Sequence, residues 1–395
     1  MSLSLVATCP LGVEELLERE LRELGVRGIR RGRAAVTFAG SWREVYRANW
    51  RLRTANRVLV ELGTWDGTTG ESLAAGAEEL VRSSREWDGL SAKALFAPGA
   101  TFSIRATSAR SRQRDSRWIG LKVKDGLVDA QRHRYGRRAS VERSAPDLGF
   151  RVRLDRDRAS FLLDTSGASL DHRGYRLEAG PAPLREHLAA ACVLAADWDG
   201  AGPVVDPMCG AGTLLAEAAA WALGLAPGRL RSALTEWALA RLPNFDSGLW
   251  HAVRREAIPA PGRPGRSDGP AGSDRELRLV GIDRDREALR AARSNLDRAG
   301  LSGTATLVEG DGFAYEPPPG PGLLVVNPPY GERIGEERAQ WSRLGDLMKQ
   351  HYTGWRAVVL AGDEGKGKHI GLKPRLRLPV RNGPLDARIL VFDLY

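Results

Sequence analysis

The sequence predicts a two-part α/β protein, in which an α+β region precedes a doubly wound, mostly parallel sheet with helices on both faces. In the second half of the 395-residue chain, short apolar runs alternate with helical patterns, which is typical of parallel strands covered on both faces. The last two strand patterns flank Asn382-Gly383, a pair that favours an antiparallel hairpin. The first half mixes strands and helices and is strongly basic, which indicates a separate region. The length suits two or three domains.

Residues 1–165 are predicted to form the α+β region. Apolar residues recur at helical spacing in some segments and alternate in others, which predicts helices and strands respectively. The predicted helices are 12–24, the start of 42–62, 72–83 and 118–135. The predicted strands are 34–38, the end of 42–62, 101–107, 150–154 and 160–164, the last two as a hairpin. Residues 166–182 are rich in glycine and lack periodicity, so they are predicted to be a linker.

Residues 183–395 are predicted to form the parallel sheet and its helices. The predicted strands are 203–206, 277–283, 304–308, 322–326, 357–361, 376–380 and 388–393. The predicted helices are 183–196, 214–223, 286–299 and 341–352. Residues 254–276 are rich in proline, glycine and serine, so we interpret them as a mobile loop between the first two strands without a catalytic role.

Composition excludes several classes of protein. The chain is 42% hydrophobic and 27% charged, which is ordinary for a globular protein. It holds no apolar run of 18 residues, and the N-terminus turns acidic too early for a signal peptide, so we expect a cytoplasmic protein without a membrane span. The three cysteines are far apart and the six histidines have no metal-ligand spacing, so neither a disulfide framework nor a metal site is predicted.

The positive charge is concentrated in the first half of the chain. Of the net charge of +10, residues 1–180 carry +9, and the stretch from Arg105 to Arg143 alone holds 12 basic and 4 acidic residues. Such a distribution favours a polyanion-binding module attached to a near-neutral domain. The alternative is an arginine-rich face that is simply solvated, and charge alone does not separate the two.

A glycine-rich loop, DPMCGAGT, follows the first strand of the second half. Its glycines allow a sharp turn and a close approach to a ligand at the carboxyl ends of the strands, where doubly wound sheets bind ligands. It lacks the GKS/T ending of a triphosphate loop, and its acidic residue suits a cationic ligand. A purely structural turn is the alternative. The candidate binding residues in it are Asp206, Met208, Cys209, Gly210, Gly212 and Thr213.

Two further strand ends carry acids. Asp283 ends the second strand, where doubly wound folds place an acid on ribose hydroxyls; the alternative is a helix cap, for which Asp285 is equally placed. Asp311-Gly312 follows the third strand, where an acid can accept from an adenine amino group; a plain turn is the alternative.

The fourth strand runs into Asn327-Pro328-Pro329-Tyr330, the most specific motif of the chain. Two prolines fix φ twice and give a rigid loop. The Asn327 side chain and the Pro328 carbonyl provide two acceptors for an exocyclic amine, and the aromatic ring of Tyr330 can stack on a planar base. The alternative is a Pro-Pro loop with a buried tyrosine.

Taken in order, DPMCGAGT, GID, GDG and NPPY resemble a class I S-adenosylmethionine-dependent methyltransferase that acts on exocyclic amino groups. Further segments are similar to the THUMP-domain RNA guanine-N2 methyltransferases, above all to the bacterial family that makes N2-methylguanosine in 23S ribosomal RNA. They are TCPLGVEELLERELRELG, NWRLRTANRVLVEL, LLDTSGASLDHRGYR, APLREHLAAA, NPPYGERIG and GPLDARILVFDL. The resemblance covers nearly the whole chain apart from the loop near residues 255–275.

The resemblance implies a Rossmann-like catalytic domain at 183–395 and a THUMP RNA-binding domain at about 45–165. It implies S-adenosylmethionine as cofactor and RNA as substrate, either 23S ribosomal RNA or a ribosome-assembly intermediate. It also implies roles for the residues singled out above. The glycine-rich loop, Asp283, Arg284, Asp311, Gly312 and Asn327 are expected to bind the cofactor, and Asn327, Pro328, Pro329 and Tyr330 to be catalytic.

Two departures from the family pattern stand out. Ala211 replaces a serine often seen in the cofactor loop, which is a small change. Some relatives carry a second fused methyltransferase, whereas this sequence ends after one, so the activity of the second is expected to be absent.

The implied reaction is direct transfer of the methyl group to guanine N2, with the base flipped out or single-stranded and stacked on Tyr330. We expect proximity and orientation to dominate, without a general base, a metal or a covalent cysteine. Trp118 and Tyr135 are candidates for stacking on bases or for core packing. The basic residues expected to contact RNA phosphates are Lys122, Lys124, Arg132, Arg134, Arg137 and Arg138.

Three alternatives stay open from the residues. The same chemistry on tRNA is the nearest, because residue chemistry cannot separate the two RNAs. A DNA adenine-N6 or cytosine-N4 methyltransferase also uses an NPPY-like loop, although no target-recognition domain is evident. A non-catalytic RNA-binding protein that keeps the fold is the third, although all four motifs carry competent residues.

Overall fold

The fold is taken from a computed structural model, which describes residues 2–176, 184–231, 233–258, 277–328, 334–362, 366–383 and 385–395. Within these ranges the strands form two large sheets, one on each side of residue 176, and a small two-stranded ribbon. The α+β and α/β halves predicted from the sequence therefore correspond to the two sheets.

The first sheet has seven strands among the described residues, in the order β2-β3-β1-β4-β9-β8-β7. Its pairs are antiparallel except β7 with β8, and a bulge between Glu61 and Gly63 interrupts the pairing of β4 with β9. The strands of this half are β1 (Leu3–Thr8), β2 (Arg27–Arg31), β3 (Ala35–Gly40), β4 (Arg57–Asp66), β5 (Glu86–Trp87), β6 (Leu90–Ser91), β7 (Phe102–Ala109), β8 (Leu148–Asp155) and β9 (Arg158–Asp164). The helices are α1 (Glu14–Glu23), α2 (Trp42–Arg51), α3 (Gly70–Arg82), α4 (Ala92–Leu95) and α5 (Ser116–Tyr135).

Local signals explain where these helices begin and end. Ser41 and Glu44 form a capping box at the start of α2, which satisfies amide groups that a helix N-terminus leaves unpaired. The Asp115 side chain caps α5, and Gly136 ends it in the left-handed conformation that glycine adopts without strain. The apolar faces of these helices share one buried cluster with alternate residues of the strands, so they cover one face of the sheet.

The second sheet also has seven described strands, in the order β12-β11-β10-β13-β14-β16-β15. β10 to β14 are parallel, and β16 inserts antiparallel between β14 and β15, which confirms the predicted terminal hairpin. The strands are β10 (Val204–Asp206), β11 (Leu279–Asp283), β12 (Ala305–Glu309), β13 (Leu323–Val326), β14 (Arg356–Gly362), β15 (Leu376–Asn382) and β16 (Leu385–Asp393). The helices are α6 (Glu186–Ala195), α7 (Thr213–Ala222), α8 (Ser247–Arg255), α9 (Arg286–Arg298) and α10 (Ile334–His351).

Helices cover both faces of this second sheet, as the sequence predicts. Leu188 of α6, Leu215 of α7 and Leu296 of α9 belong to the same buried cluster as Val325 of β13. The opposite face packs Trp341 and its neighbours on α10 against the alternate strand residues. Parallel strands buried on both faces are apolar at successive positions, which explains the continuous apolar runs.

The described part of the predicted linker, residues 166–176, is packed and hydrogen-bonded. Arg173 is 2% exposed; it donates to the backbone carbonyl of Arg53 and lies 3.5 Å from the Glu217 carboxylate. The Tyr175 hydroxyl donates to the same carboxylate at 3.1 Å. The polar, aperiodic sequence of this segment predicts a linker. In the structure its polar side chains belong to a buried network of ion pairs and hydrogen bonds. Residues 177–182 lie outside the described residues.

Residues 227–231 and 233–258 belong to an excursion between α7 and β11 that docks on α2. Tyr46 and Trp50 of α2 pack edge-on against Trp250 of α8, with ring centroids 5.7 Å apart in both pairs. At the end of α8, Glu256 accepts from Arg43 at 2.6 Å and from Arg51 at 2.7 Å.

The prediction of a loop over 254–276 is wrong at its start. The chain there completes α8, and the guanidinium groups on α2 fix the Glu256 carboxylate. The remaining residues of that prediction, 259–276, lie outside the described residues.

Candidate active site

Four polar segments of the second sheet meet at one edge, because the carboxyl ends of parallel strands lie side by side. The glycine-rich loop leaves β10, Asp283 ends β11, Asp311 follows β12, and Asn327 follows β13. β10 is hydrogen-bonded to both β11 and β13, so the loop lies between Asp283 and Asn327. This is the crevice where doubly wound folds bind ligands.

The glycine-rich loop is held by backbone contacts that require its glycines. Gly212 has φ +76°, and a Cβ atom there would lie 3.2 Å from the Cβ of Ala292 on α9. Gly210 has φ +50°, and a Cβ there would point into open space beside the loop. Gly212 therefore brings the loop against α9, whereas Gly210 sets the turn and leaves room next to it. Thr213 begins α7 and is buried.

Asp206 is a carboxyl group buried at the base of the loop. It is 1% exposed and accepts from the Met208 amide at 3.1 Å. Burial, reinforced by the nearby charge of Asp283, raises the pKa of Asp206 to about 8, although the Met208 amide opposes the shift. A cation next to this group would favour its ionised form.

Cys209 lies in the same loop and is buried. Burial, and then the charges of Asp206 and Asp283, raise the pKa of the Cys209 thiol well above its ordinary value. The thiol therefore stays protonated near neutral pH, which favours packing over nucleophilic attack.

Asp283 fastens the glycine-rich loop to the end of β11. One carboxylate oxygen accepts from the Gly210 amide at 2.9 Å and the other from the Asp285 amide at 2.9 Å. The cap of α9 is Asp285, which accepts from the Glu287 amide, so the alternative role of Asp283 as that cap is wrong. Asp283 is thus left to position the loop and to present its remaining lone pairs at the sheet edge.

Asp311 is paired with two arginines. Its Oδ2 lies 2.7 Å from Arg284 and 3.1 Å from Arg343 of α10, while Oδ1 accepts from the Phe313 amide. Burial would raise the pKa of Asp311, but the Phe313 amide and the two guanidinium groups outweigh it and hold the pKa below its usual range. Arg284, which the resemblance assigns to the cofactor, contacts this acid.

Gly312 allows the closest approach at this edge. A Cβ atom there would lie 1.9 Å from the carbonyl oxygen of Pro207. The segment after β12 can therefore contact the glycine-rich loop only because residue 312 has no side chain.

The motif predicted to be catalytic lies only partly within the described residues. Asn327 is half-buried and Pro328 is buried directly after β13. Pro329 and Tyr330, the other two predicted catalytic residues, lie outside the described residues, so the stacking role of Tyr330 stays a prediction.

Three residues that the sequence did not single out hold this edge together. Asn295 of α9 is buried and donates to the Ala211 carbonyl at 3.0 Å. Arg343 of α10 lies over the Phe313 ring at 4.5 Å besides pairing with Asp311. The Gln340 amide lies 3.9 Å from the Met208 sulfur. Each of these contacts joins residues more than 25 positions apart in the sequence, so no local sequence pattern predicts it.

The basic residues predicted to bind RNA lie on α5 and just after it, and most have partners within the protein. Lys124 pairs with Asp125 at 2.7 Å, and Arg132 with Asp129 at 3.0 Å. Arg134 donates to backbone carbonyls at the end of α3, and Lys122 lies over the Trp118 ring. Arg137 and Arg138 are exposed. Trp118 and Tyr135 pack partly against the core.

The described ranges contain no cluster of three or more His, Cys, Asp or Glu side chains able to hold a metal ion. Nor do they contain a helix of the length and hydropathy that crossing a bilayer would need. The three cysteines are buried and unpaired.

Solved structures establish the class of the fold. A crystal structure described as "a putative methyltransferase complexed with SAH" matches with TM-score 0.82 and 27% identity, covering 100% of this chain and 98% of the other. A "possible methylase" from Clostridium difficile matches with TM-score 0.84 and 25% identity, covering 100% of this chain and 99% of the other. The chain therefore has the class I methyltransferase fold, with a preceding α+β region.

Family models divide the chain into three matches. Residues 173–389 match the RMKL-like methyltransferase domain, residues 4–59 the RlmL ferredoxin-like domain, and residues 87–164 the THUMP domain. The chain belongs to the RMKL-like methyltransferase family. The ferredoxin-like and THUMP matches both contribute strands to the single first sheet.

Curated relatives agree with this assignment. Ribosomal RNA large subunit methyltransferase K/L of Methylococcus capsulatus is 37% identical over 100% of this chain, and that of Syntrophotalea carbinolica is 37% identical over 98%. The chain spans about half the length of these relatives, 52% and 53%. "Putative RNA methyltransferase slr0064" of Synechocystis is 36% identical, with 98% of this chain and 96% of the relative covered.

Proposed function

We propose that this protein transfers a methyl group from S-adenosylmethionine to the exocyclic N2 of a guanosine in 23S ribosomal RNA. One observation carries the proposal: Asn327 and Pro328 leave β13 directly beside the loop of β10 that contains Asp206 and the two glycines. Two hydrogen-bond acceptors for an amine therefore lie next to a glycine-rich loop that suits a cationic cofactor.

The residues at the sheet edge fit that cofactor. The space beside Gly210 gives a ligand access to the loop backbone, and the buried Asp206 carboxyl contacts no cation among the described residues. S-adenosylmethionine would supply an activated methyl group on a positively charged sulfur. Asp206 would face its positive charge, Asp283 its ribose, and the segment at Asp311 its adenine.

The Asn327-Pro328 pair supplies the orientation. The Asn327 side-chain oxygen and the Pro328 carbonyl are acceptors, and an exocyclic amine has two N–H donors. Holding both donors fixes the nitrogen and directs its lone pair away from the acceptors. Orientation of this kind can provide most of the rate enhancement when the methyl donor is already activated. The protonated Cys209 thiol is not required.

The RNA substrate is proposed from the relatives. The K/L relatives are named for ribosomal RNA of the large subunit, and the family models include a THUMP domain. The basic first half supplies charge for phosphate contacts, which position RNA without reading its sequence.

The test is methyl transfer from labelled S-adenosylmethionine to separate pools of unmodified 23S ribosomal RNA, tRNA and duplex DNA, followed by nucleoside analysis. We expect N2-methylguanosine in the 23S pool. The same product only in tRNA would keep the reaction and overturn the substrate. N6-methyladenine or N4-methylcytosine in DNA would overturn both. If no pool is methylated, and assembly intermediates are not methylated either, the protein would be an RNA-binding protein without methyltransferase activity.

A further inference from the structure

The first sheet has a second face, opposite its helices, that carries four arginines beside a small buried apolar cluster of Val6, Ala35, Leu59 and Leu162. On β8, Val152 and Leu154 point into the core shared with α3 and α5, so Arg151 and Arg153 point to the other face. Arg105 on β7 is paired in register with Arg151 and is exposed. Arg57 on β4 completes the set. We call Arg57, Arg105, Arg151 and Arg153 the arginine face.

The charges on this face are not balanced within the protein. Arg57 and Arg151 share one carboxylate, that of Asp164, at 2.7 Å and 3.1 Å. Arg105 and Arg153 make no side-chain hydrogen bond or ion pair with any described residue. The neighbouring Asp155 is already held by Arg110 through both carboxylate oxygens. Asp164 therefore serves two guanidinium groups, and Asp155, whose pKa the charge of Arg153 also helps to lower, is paired with Arg110, so cations outnumber acids here.

Placing like charges side by side costs stability. Arg105 and Arg151 lie on adjacent strands about 4.8 Å apart, and like charges at such positions are destabilising. Burial, followed by the charges of Arg57 and Arg105, lowers the pKa of Arg151, against the opposing effect of Asp164. An anionic ligand would relieve this repulsion.

The α5 surface offers a contrast. Most of the basic residues there pair with acids or donate to backbone carbonyls of the protein, so contact with an external anion would compete with existing partners. Arg105 and Arg153 donate no hydrogen bond to a described residue, and Arg153 acts only through its charge on the nearby Asp155. Guanidinium groups with free donors match phosphate oxygens bidentately.

We propose that the arginine face, rather than the α5 surface, is the main contact of this protein with the phosphate backbone of its RNA. The inference rests on the proposed function for its choice of RNA as the polyanion. Because phosphate contacts position without specifying sequence, this face would anchor the RNA while the edge of the second sheet acts on one base.

The test compares two charge-matched double variants of the full chain. R105Q/R153Q removes two cations from the arginine face, and R137Q/R138Q removes two exposed cations after α5. Affinity for a 23S ribosomal RNA transcript is measured over a range of KCl concentrations. For R105Q/R153Q we expect a loss of about tenfold or more and a salt slope smaller by about 1–2, as for one or two lost phosphate contacts. For R137Q/R138Q we expect less than about threefold.

Two further measurements separate this role from a structural one. R105K/R153K keeps both charges and should retain most of the affinity. The melting temperature of R105Q/R153Q should not fall, because a repulsive pair is removed. Binding needs no turnover, so a wild-type protein that binds the transcript but methylates neither it nor an assembly intermediate would overturn the proposed function and leave this surface standing. The proposed RNA contact would be overturned if R105Q/R153Q bound RNA with wild-type affinity. It would also be overturned if R137Q/R138Q lost as much affinity or more, or if the wild-type protein did not bind the transcript.

Discussion

The two seven-stranded sheets place their functional side chains in opposite ways. The second sheet gathers Asp206, Asp283, Asp311 and Asn327 at one edge, because its central strands are parallel and all end there. The first sheet, in which most pairs are antiparallel, has no such common edge and carries its charges across a face. A parallel sheet thus suits a small ligand held at a point, and a mixed sheet suits a polymer held over an area.

The two arrangements also differ in how tightly they are fixed. The edge is held by buried groups and by backbone in contact with backbone, as at Gly312 and Pro207. The arginine face consists of long side chains that are half-buried or exposed. Single substitutions at the edge of the second sheet should therefore change activity or stability strongly. Single substitutions on the arginine face should change RNA affinity by smaller amounts that depend on salt concentration.

The largest effect is expected for N327A. Losing the side-chain acceptor should lower kcat/KM for methyl transfer on the order of 100-fold or more, since misplaced reacting groups cost about that much. Steady-state assays on the responsive RNA pool check the value, with the melting temperature as a control for folding. Activity within a fewfold of wild type would remove Asn327 from the catalytic machinery.

G312A should have the next largest effect. The added methyl group meets the Pro207 carbonyl at 1.9 Å, so the two segments must separate, at a cost of about 1–3 kcal/mol in free energy of unfolding. Binding of S-adenosylhomocysteine should weaken as well. The matched control is G310A, two residues away, where a Cβ has open space. Urea unfolding and calorimetry measure both quantities, and equal behaviour of the two variants would contradict the close-approach argument.

Asp206 gives a gradual effect, a defined pH dependence spread over several pH units. Its pKa in the folded protein is about 8, above the ordinary value of 3.8, so the folded state binds a proton that the unfolded state releases. Asp206 therefore lowers the free energy of unfolding as pH rises from about 4 to about 8, by at most about 1.4 kcal/mol per pH unit. D206N cannot titrate and should lose this slope. Urea unfolding between pH 5 and 8 compares the two proteins, and parallel profiles would show that Asp206 is ionised in the fold.

The sequence predicts the second sheet well because its central strands, such as β10, β13 and β14, are apolar runs buried on both faces. It misses β1 and β2, which were not predicted as strands. The sequence of β2, Arg27–Arg31, has almost no apolar residues, and its strand conformation comes from pairing with β3. It also misses α8 and the buried segment at Arg173, because both are defined by partners in the other half of the chain.

At the candidate site, the strand-end acids and glycines follow from the motif order, since each adjoins a recognisable strand. The contacts of Asn295, Gln340 and Arg343 do not, because helix-to-loop packing sets them over long separations in sequence. The partners of the basic residues on α5 cannot be predicted from composition either. Composition gives the number of charges but does not show which of them are paired within the protein.

The excursion at residues 227–258 bears on how the chain is synthesised. The aromatic side of α2, with Tyr46 and Trp50, is completed by Trp250, about two hundred positions later. At about 5–20 residues per second, a nascent chain would expose that aromatic surface for about 10–40 s before its cover left the ribosome. The packing of α2 is therefore completed only after the excursion has been synthesised, although α2 belongs to the first half of the chain.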